Sequence, residues 1–143
     1  MPILTIHLAD GRYSDEQCER LLAATSRFYA QSLKSPIERV RVFIQAYAAR
    51  RIAVGGVSVQ AGADDAPYFH FLVLEGRPVE ERQHLLAGFT DLIVDILGVR
   101  RERVRGGCWP ISPENWAIGG VPASVLRAAE VAARRADASN AAV

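Results

Sequence analysis

The stretch ILTIHLADGR, residues 3–12, is matched later in the chain by YFHFLVLEGR, residues 68–77. Each half opens on seven mostly apolar residues rich in β-formers and closes on an acid-Gly-Arg turn. That is the pattern of a buried strand ending at a sharp bend. A proline precedes both: Pro2 and Pro67, 65 positions apart, as are Gly11 and Gly76, and Arg12 and Arg77. Past the arginine the spacing drops to 64 and holds through Leu21/Leu85, Leu22/Leu86, Val40/Val104, Arg41/Arg105, Gly55/Gly119, Gly56/Gly120 and Val57/Val121. One extra residue near Tyr13 accounts for the change. A constant offset over so long a stretch marks an internal duplication, so the fold is read one copy at a time.

Within the first copy, the strand at 3–9 is followed by SDEQ at 14–17. Ser14 and Gln17 have the spacing of a capping box, which satisfies donors at a helix start. Leu21, Leu22, Thr25, Phe28, Tyr29 and Leu33 then recur on one helical face. VRVFIQA at 40–46 reads as a second strand, and Gly55-Gly56 as a tight turn. In the second copy Pro78 suits a first helical turn, and Leu85, Leu86, Phe89, Leu92, Ile93, Ile96 and Leu97 form the apolar face. Its second strand, VRGGCW at 104–109, is expected to be weakened by Gly106 and Gly107. Each unit is thus β-α-β, and two units can share one sheet. The expected fold class is α+β, with tandem β-α-β repeats forming a four-stranded sheet and two helices on one face. A copy of about 60 residues buries too little surface to stand alone, so the expectation is a single domain. It comprises a first copy over 2–62, a second over 66–125 and a C-terminal helix or tail over 126–143 that fades into ADASNAAV.

Composition excludes several functions. The 143 residues carry a formal charge of +1, with 50% hydrophobic and 23% charged residues. This is a globular composition that gives no support for nucleic-acid or anionic-membrane binding. No apolar run is long enough to span a bilayer, and no signal-peptide pattern opens the chain. Cys18 and Cys108 lack metal-ligand spacing, and the three histidines are scattered. Neither a disulfide framework, a metal nor a cofactor is expected, and a cytoplasmic location is. The cations are sixteen Arg and one Lys, Lys34. That argues against Schiff-base chemistry and supplies planar forks for carboxylates.

The motifs together resemble the tautomerase superfamily. Pro2, IHLADGR (6–12), the capping box, SPIERVRV (35–42) and IAVGG (52–56) look like one copy of a 4-oxalocrotonate tautomerase-like unit. PYFHFLVLEGR (67–77), VRRERVR (99–105) and WAIGG (116–120) look like another. The resemblance covers about residues 2–121 and implies a fused two-copy protein with the tautomerase/MIF-like fold. It also implies that the proline amine, freed by removal of Met1, is the catalytic base or acid. A free α-amino group titrates near pH 8, lower when buried beside cations, and so can work as a base near neutrality. Pro67 is an internal amide and can only be structural.

By the same resemblance Arg12 and Arg77 are carboxylate-binding candidates, with Arg77 favoured because the second copy is expected to face Pro2. Arg41 and Arg105 match the second family arginine, which polarises a carbonyl or holds another carboxylate. Trp116 stands where the family places an aromatic wall, where the first copy has Ile52, and Leu74 is expected to line the same pocket. Arg39 is assigned to solvent. The acid that dehalogenating hydratases carry near the second Gly-Gly is replaced by Ile118. The acid of related decarboxylases is replaced by Arg39. The resemblance therefore implies an enol–keto tautomerase acting on a small carboxylate substrate, assembled as a homotrimer. The alternatives are a promiscuous hydratase or decarboxylase, and a non-catalytic ligand-binding or assembly module.

Overall fold

The computed structural model describes residues 2–142; Met1 and Val143, and with Met1 the question of its removal, lie outside the described residues. The chain runs β1 (Ile3–Ala9), α1 (Asp15–Leu33), β2 (Arg41–Tyr47) and a short hairpin of β3 (Ala53–Val54) and β4 (Val57–Ser58). The same order returns as β5 (Tyr68–Leu74), α2 (Val79–Leu97), β6 (Arg105–Ile111) and a hairpin of β7 (Ala117–Ile118) and β8 (Val121–Pro122). Two further helices close the chain, α3 (Ala123–Leu126) and α4 (Ala128–Ala141). β1 and β5 begin 65 residues apart, whereas every later pair from α1/α2 to β4/β8 is offset by 64. The missing residue therefore falls in the strand-to-helix turn.

Four strands form one sheet in the order β2-β1-β5-β6. β1 pairs parallel with β2, and β5 parallel with β6, as β-α-β units require. The copies meet where β1 pairs antiparallel with β5, Ile3 opposite Leu72 and His7 opposite Tyr68. Alternation sends Leu4, Ile6, Phe69, Phe71 and Val73 to one face, where all are buried against α1 and α2. Phe89 lies at the centre, with edge-on ring contacts to Tyr29 at 5.1 Å and Phe71 at 5.2 Å. Such geometry adds to the area term.

The capping box forms: Gln17 N–H donates to Ser14 Oγ at 3.1 Å, and Ser14 N–H to Gln17 Oε1 at 2.9 Å. The same Gln17 donates through Nε2 to the Ile96 carbonyl at 3.0 Å, which ties α1 to the end of α2. Pro78 takes the N-cap position of α2, just ahead of the first turn. Gly98, with φ of 69°, ends that helix in the left-handed region.

Two sequence expectations need correction. β6 is continuous over seven residues despite Gly106 and Gly107. Gly106 is there because a Cβ would meet Phe69 Cζ at 2.2 Å; the buried ring lies across the neighbouring strand. The glycine makes room for the core and leaves the ladder intact. The C-terminal segment also does not fade after a short helix. α4 runs to Ala141, with Val131 buried.

The other sheet face carries an aromatic and histidine layer. His7 Nδ1 lies 2.7 Å from Tyr47 Oη and His7 Nε2 lies 3.4 Å from His70 Nδ1. His70 stacks on Trp109 with centroids 4.3 Å apart, and Tyr68 stacks on His7. Phe43 and Trp109 are half exposed on this face. Burial lowers the pKa of both imidazoles, and the charge of His70 lowers that of His7 further.

Gly106→Ala should cost about 1–3 kcal/mol by overpacking Phe69. Gly107→Ala, whose Cβ would sit 3.4 Å from Trp109 Nε1, should stay within about 0.5 kcal/mol of wild type. Urea denaturation of both checks this, and equal losses would refute it. The histidine pair sets a second expectation. The unfolded chain takes up these protons more readily, so the stability they contribute is complete above about pH 6.5 and is lost as pH falls through the lowered pKa values. The acid-side decline in urea midpoint should be shallower in His70→Gln than in wild type.

Candidate active site

The antiparallel register places Pro2 opposite Val73, near the end of β5 that leads through Leu74 to the Gly76 turn and Arg77. Pro2 is buried, and its carbonyl accepts the Arg41 N–H at 3.0 Å, which fixes the start of β1 against β2. Around it is a cavity of about 60 Å³ lined by Pro2, Leu72–Leu74, Arg77, Leu33–Ser35, Arg39, Arg127, Glu130 and Arg134. Two of the sequence candidates, Arg77 and Leu74, thus share one cavity with Pro2.

Arg41 and Trp116 line an adjoining cleft of about 330 Å³, with Ile3, Glu38, Ala117, Ile118 and Gly119. Arg39 and Arg127 line both spaces. Arg41 is exposed, and its Nη1 donates to the Glu38 carbonyl at 2.8 Å. Its strand position sends it to the face away from Val40 and Val42, as alternation implies.

Arg12 and Arg105 are not brought to Pro2 in the folded chain. Arg12 donates through Nη2 to the Val59 carbonyl at 2.9 Å. Arg105 is held by the carbonyls of Glu102 at 2.7 Å and Val104 at 3.1 Å, and its N–H donates to the Pro67 carbonyl. Both stand at the Pro67 end of the sheet, as the antiparallel pairing requires.

The structure adds five charged residues to this region, Lys34, Arg39, Arg127, Glu130 and Arg134. Arg39 is half-buried rather than solvated, and its Nη1 pairs with Glu130 Oε1 at 3.2 Å. Glu130 also faces Arg134 at 3.6 Å and Arg127 at 3.8 Å. The Arg77 side chain is 13% exposed and is bonded to Glu81 at 2.9 Å. Burial, reinforced by the neighbouring Arg77 charge, pulls the Arg134 pKa down, and Glu130 and Glu81 oppose that shift. A sequence signal for these side chains existed. Arg127, Glu130 and Arg134 stand three and then four residues apart, one stripe along a helix. The alanine-rich composition concealed it.

The four-stranded sheet and its helices, built twice from one strand-helix-strand unit, have the tautomerase/MIF-like fold. The tautomerase enzyme family model matches residues 2–62 and 67–125, so the chain belongs to the tautomerase family, with the family unit present twice. A 2-hydroxymuconate tautomerase of Pseudomonas putida is 43% identical over 56 residues, covering 39% of this chain and 87% of that protein. The corresponding enzyme of Stutzerimonas stutzeri is 41% identical over 61 residues, covering 43% of this chain and 95% of that protein. The crystal structure of a native fused 4-OT superposes with a TM-score of 0.81 at 27% identity, covering 87% of this chain and 98% of that one. A fused 4-OT described as a symmetric trimer gives a TM-score of 0.77 at 26% identity, with the same coverage.

Leu74 is buried and lines the cavity with Pro2, so Leu74→Ala should enlarge it. The expected result is a loss of about 2–5 kcal/mol in stability, measured by urea denaturation. A loss well below that range would place Leu74 at a surface that relaxes freely.

Proposed function

We propose that the protein is an enol–keto tautomerase for a small 2-hydroxy-dienoate or enol form of a 2-oxo acid, with the Pro2 amine as proton shuttle once Met1 is removed. The observation that carries this reading is the shared cavity of Pro2 and Arg77, where a secondary amine would sit among guanidinium groups. Nearby cations and burial both favour the neutral amine, which is the form able to accept a proton near neutrality. For a 2-hydroxy-dienoate the amine takes the proton of the 2-hydroxyl, the negative charge spreads over the dienolate, and the proton is returned at the conjugated carbon, leaving the 2-oxo acid. Atoms balance without any co-reactant. Arg77 holds a substrate carboxylate, and Arg41 meets the developing oxyanion from the adjoining cleft, where Trp116 walls out water. Arg12 and Arg105 have no part in this single-chain site.

The working form is proposed to be a homotrimer. The fused 4-OT relative described as a symmetric trimer supports this, as does the open sheet face with Phe43 and Trp109 half exposed. Sedimentation should give a mass of three chains.

Pro2→Ala should lower kcat for 2-hydroxymuconate ketonisation by about 10² or more, within the range of a lost general base. A form whose Pro2 nitrogen stays acylated by Met1, identified by intact mass, should lose nearly all activity. Wild-type rates in both would dismiss the proline mechanism. Arg77→Ala should raise KM for the dicarboxylate roughly tenfold or more through loss of a charge-assisted bond. An unchanged KM would remove Arg77 from the site.

A further inference from the structure

We propose that α4 is the specificity element of the Pro2 site. In this reading Arg127 and Arg134, together with Arg39, bind the second carboxylate of a dianionic acid, and Glu130 is an internal place-holder for that group. The location of the site rests on the Pro2 reading above; the role of α4 does not depend on turnover. The family match ends at residue 125, yet three side chains beyond it line the cavity that contains Pro2. α4 is thus an addition to the family unit that contributes directly to this cavity.

The charge pattern says what the addition recognises. Lys34, Arg39, Arg77, Arg127 and Arg134 line the cavity, and Glu130 is the sole acid among its lining residues. Clustering guanidinium groups this closely is unfavourable without anions, because each lost hydration must be replaced. Arg77 pairs with Glu81, and Glu130 is shared by Arg39, Arg127 and Arg134, at 3.2, 3.8 and 3.6 Å. One carboxylate stretched over three guanidiniums is a loose arrangement compared with a bidentate pair. The Nε of Arg127 is buried with no hydrogen-bond partner among the described residues, a donor in reserve. The Glu130 side chain is 42% exposed, so it can rotate to water without crossing the core.

Volume points the same way. At about 60 Å³ the cavity holds a few waters, well below the several hundred Å³ of ordinary ligand sites. The cleft of about 330 Å³ shares Arg39 and Arg127 with it, two of the residues paired with Glu130. A dianion that replaces the Glu130 carboxylate with its own keeps the arginines paired and spans both spaces. A monoanion fills one end only and leaves Glu130 where it is.

The test is calorimetric titration with muconate and with sorbate, which share a six-carbon diene and differ by one carboxylate. Wild-type protein should bind muconate about tenfold or more tightly than sorbate, as one charge-assisted contact predicts. Arg134→Ala should erase most of that margin with sorbate affinity nearly unchanged. Glu130→Gln should tighten muconate binding, since the competing carboxylate is gone. A purely structural Glu130 would give the opposite sign. Equal affinities in the wild type, no binding of either acid, or weaker muconate binding in Glu130→Gln would each overturn the proposal. Pro2→Ala separates the two readings, since it should lose ketonisation and keep the margin. Wild-type protein with the margin but no ketonisation sinks the proline mechanism alone, and turnover without the margin sinks the role of α4 alone.

Discussion

The antiparallel pairing of β1 with β5 is the constraint on which the rest of the molecule depends. Each copy alone is a two-stranded parallel sheet under one helix, too small to enclose a core. Joined through Ile3–His7 and Tyr68–Leu72, the copies bury Leu4, Ile6, Phe69 and Phe71 beneath both helices. A slip of one residue would turn each of these side chains to the opposite face, so the packing of Phe89 against Tyr29 and Phe71 holds the register. That register in turn decides which chemistry can meet. The first residue before β1 lies beside the last residues of β5, and therefore beside the turn that carries Arg77. Parallel pairing would have set Pro2 beside Pro67 and both arginines at the far end.

The same pairing creates a second, mirrored end where Pro67 lies opposite Leu8. There the chain between the copies lies against the end of β1. Asp65 Oδ2 accepts the Ala9 N–H at 3.0 Å and the Tyr13 hydroxyl at 2.7 Å. Burial, and then the bond to Asp65, push the Tyr13 hydroxyl pKa well up. Arg12, the counterpart of Arg77, is turned to the Val59 carbonyl. Fusion therefore does more than link two copies: it converts one proline to an amide and places the linker over that end. The equivalent position beside Pro2 is occupied by α4 instead, and charged side chains replace the closed hydrogen-bond network.

What could be read from the sequence was whatever is local or periodic. The change of offset from 65 to 64, the Ser14–Gln17 capping box and the alternation of β1 and β5 all express backbone rules that operate within a few residues. Gly106 was misleading because its cause is across the sheet, in the ring of Phe69 on β5. Arg39 was misleading for a similar reason. Its burial depends on Glu130, 91 residues later, and a helix stripe with no apolar face gives no sign of where it will dock. Pro2, Arg77 and Leu74 were named together on the family resemblance, and they line one cavity because the antiparallel pairing of the copies sets the start of β1 beside the end of β5. Arg12 and Arg105 satisfy the same motif, and only the direction of pairing between copies separates them from Pro2.

Electrostatics explains why such a site uses arginine and why it needs an acid at rest. A lysine beside other cations in a poorly hydrated space lowers its own cost by losing its proton, and its grip on an anion goes with it. Arginine does not have that escape. Arg134 feels both burial and the Arg77 charge, and its pKa is drawn down, but a guanidinium starts far enough above neutrality to remain charged. The repulsion among Arg39, Arg77, Arg127 and Arg134 then has to be met by anions, and in the unliganded chain Glu81 and Glu130 meet it. Glu81 belongs to α2 and is bound to one arginine, so it serves the scaffold. Glu130 is divided among three arginines on a helix outside the duplicated unit, and it is the anion that can leave. In the role proposed for α4, an incoming anion would take over the pairing of these arginines, while Pro2 stays held through its carbonyl by the main chain of β2.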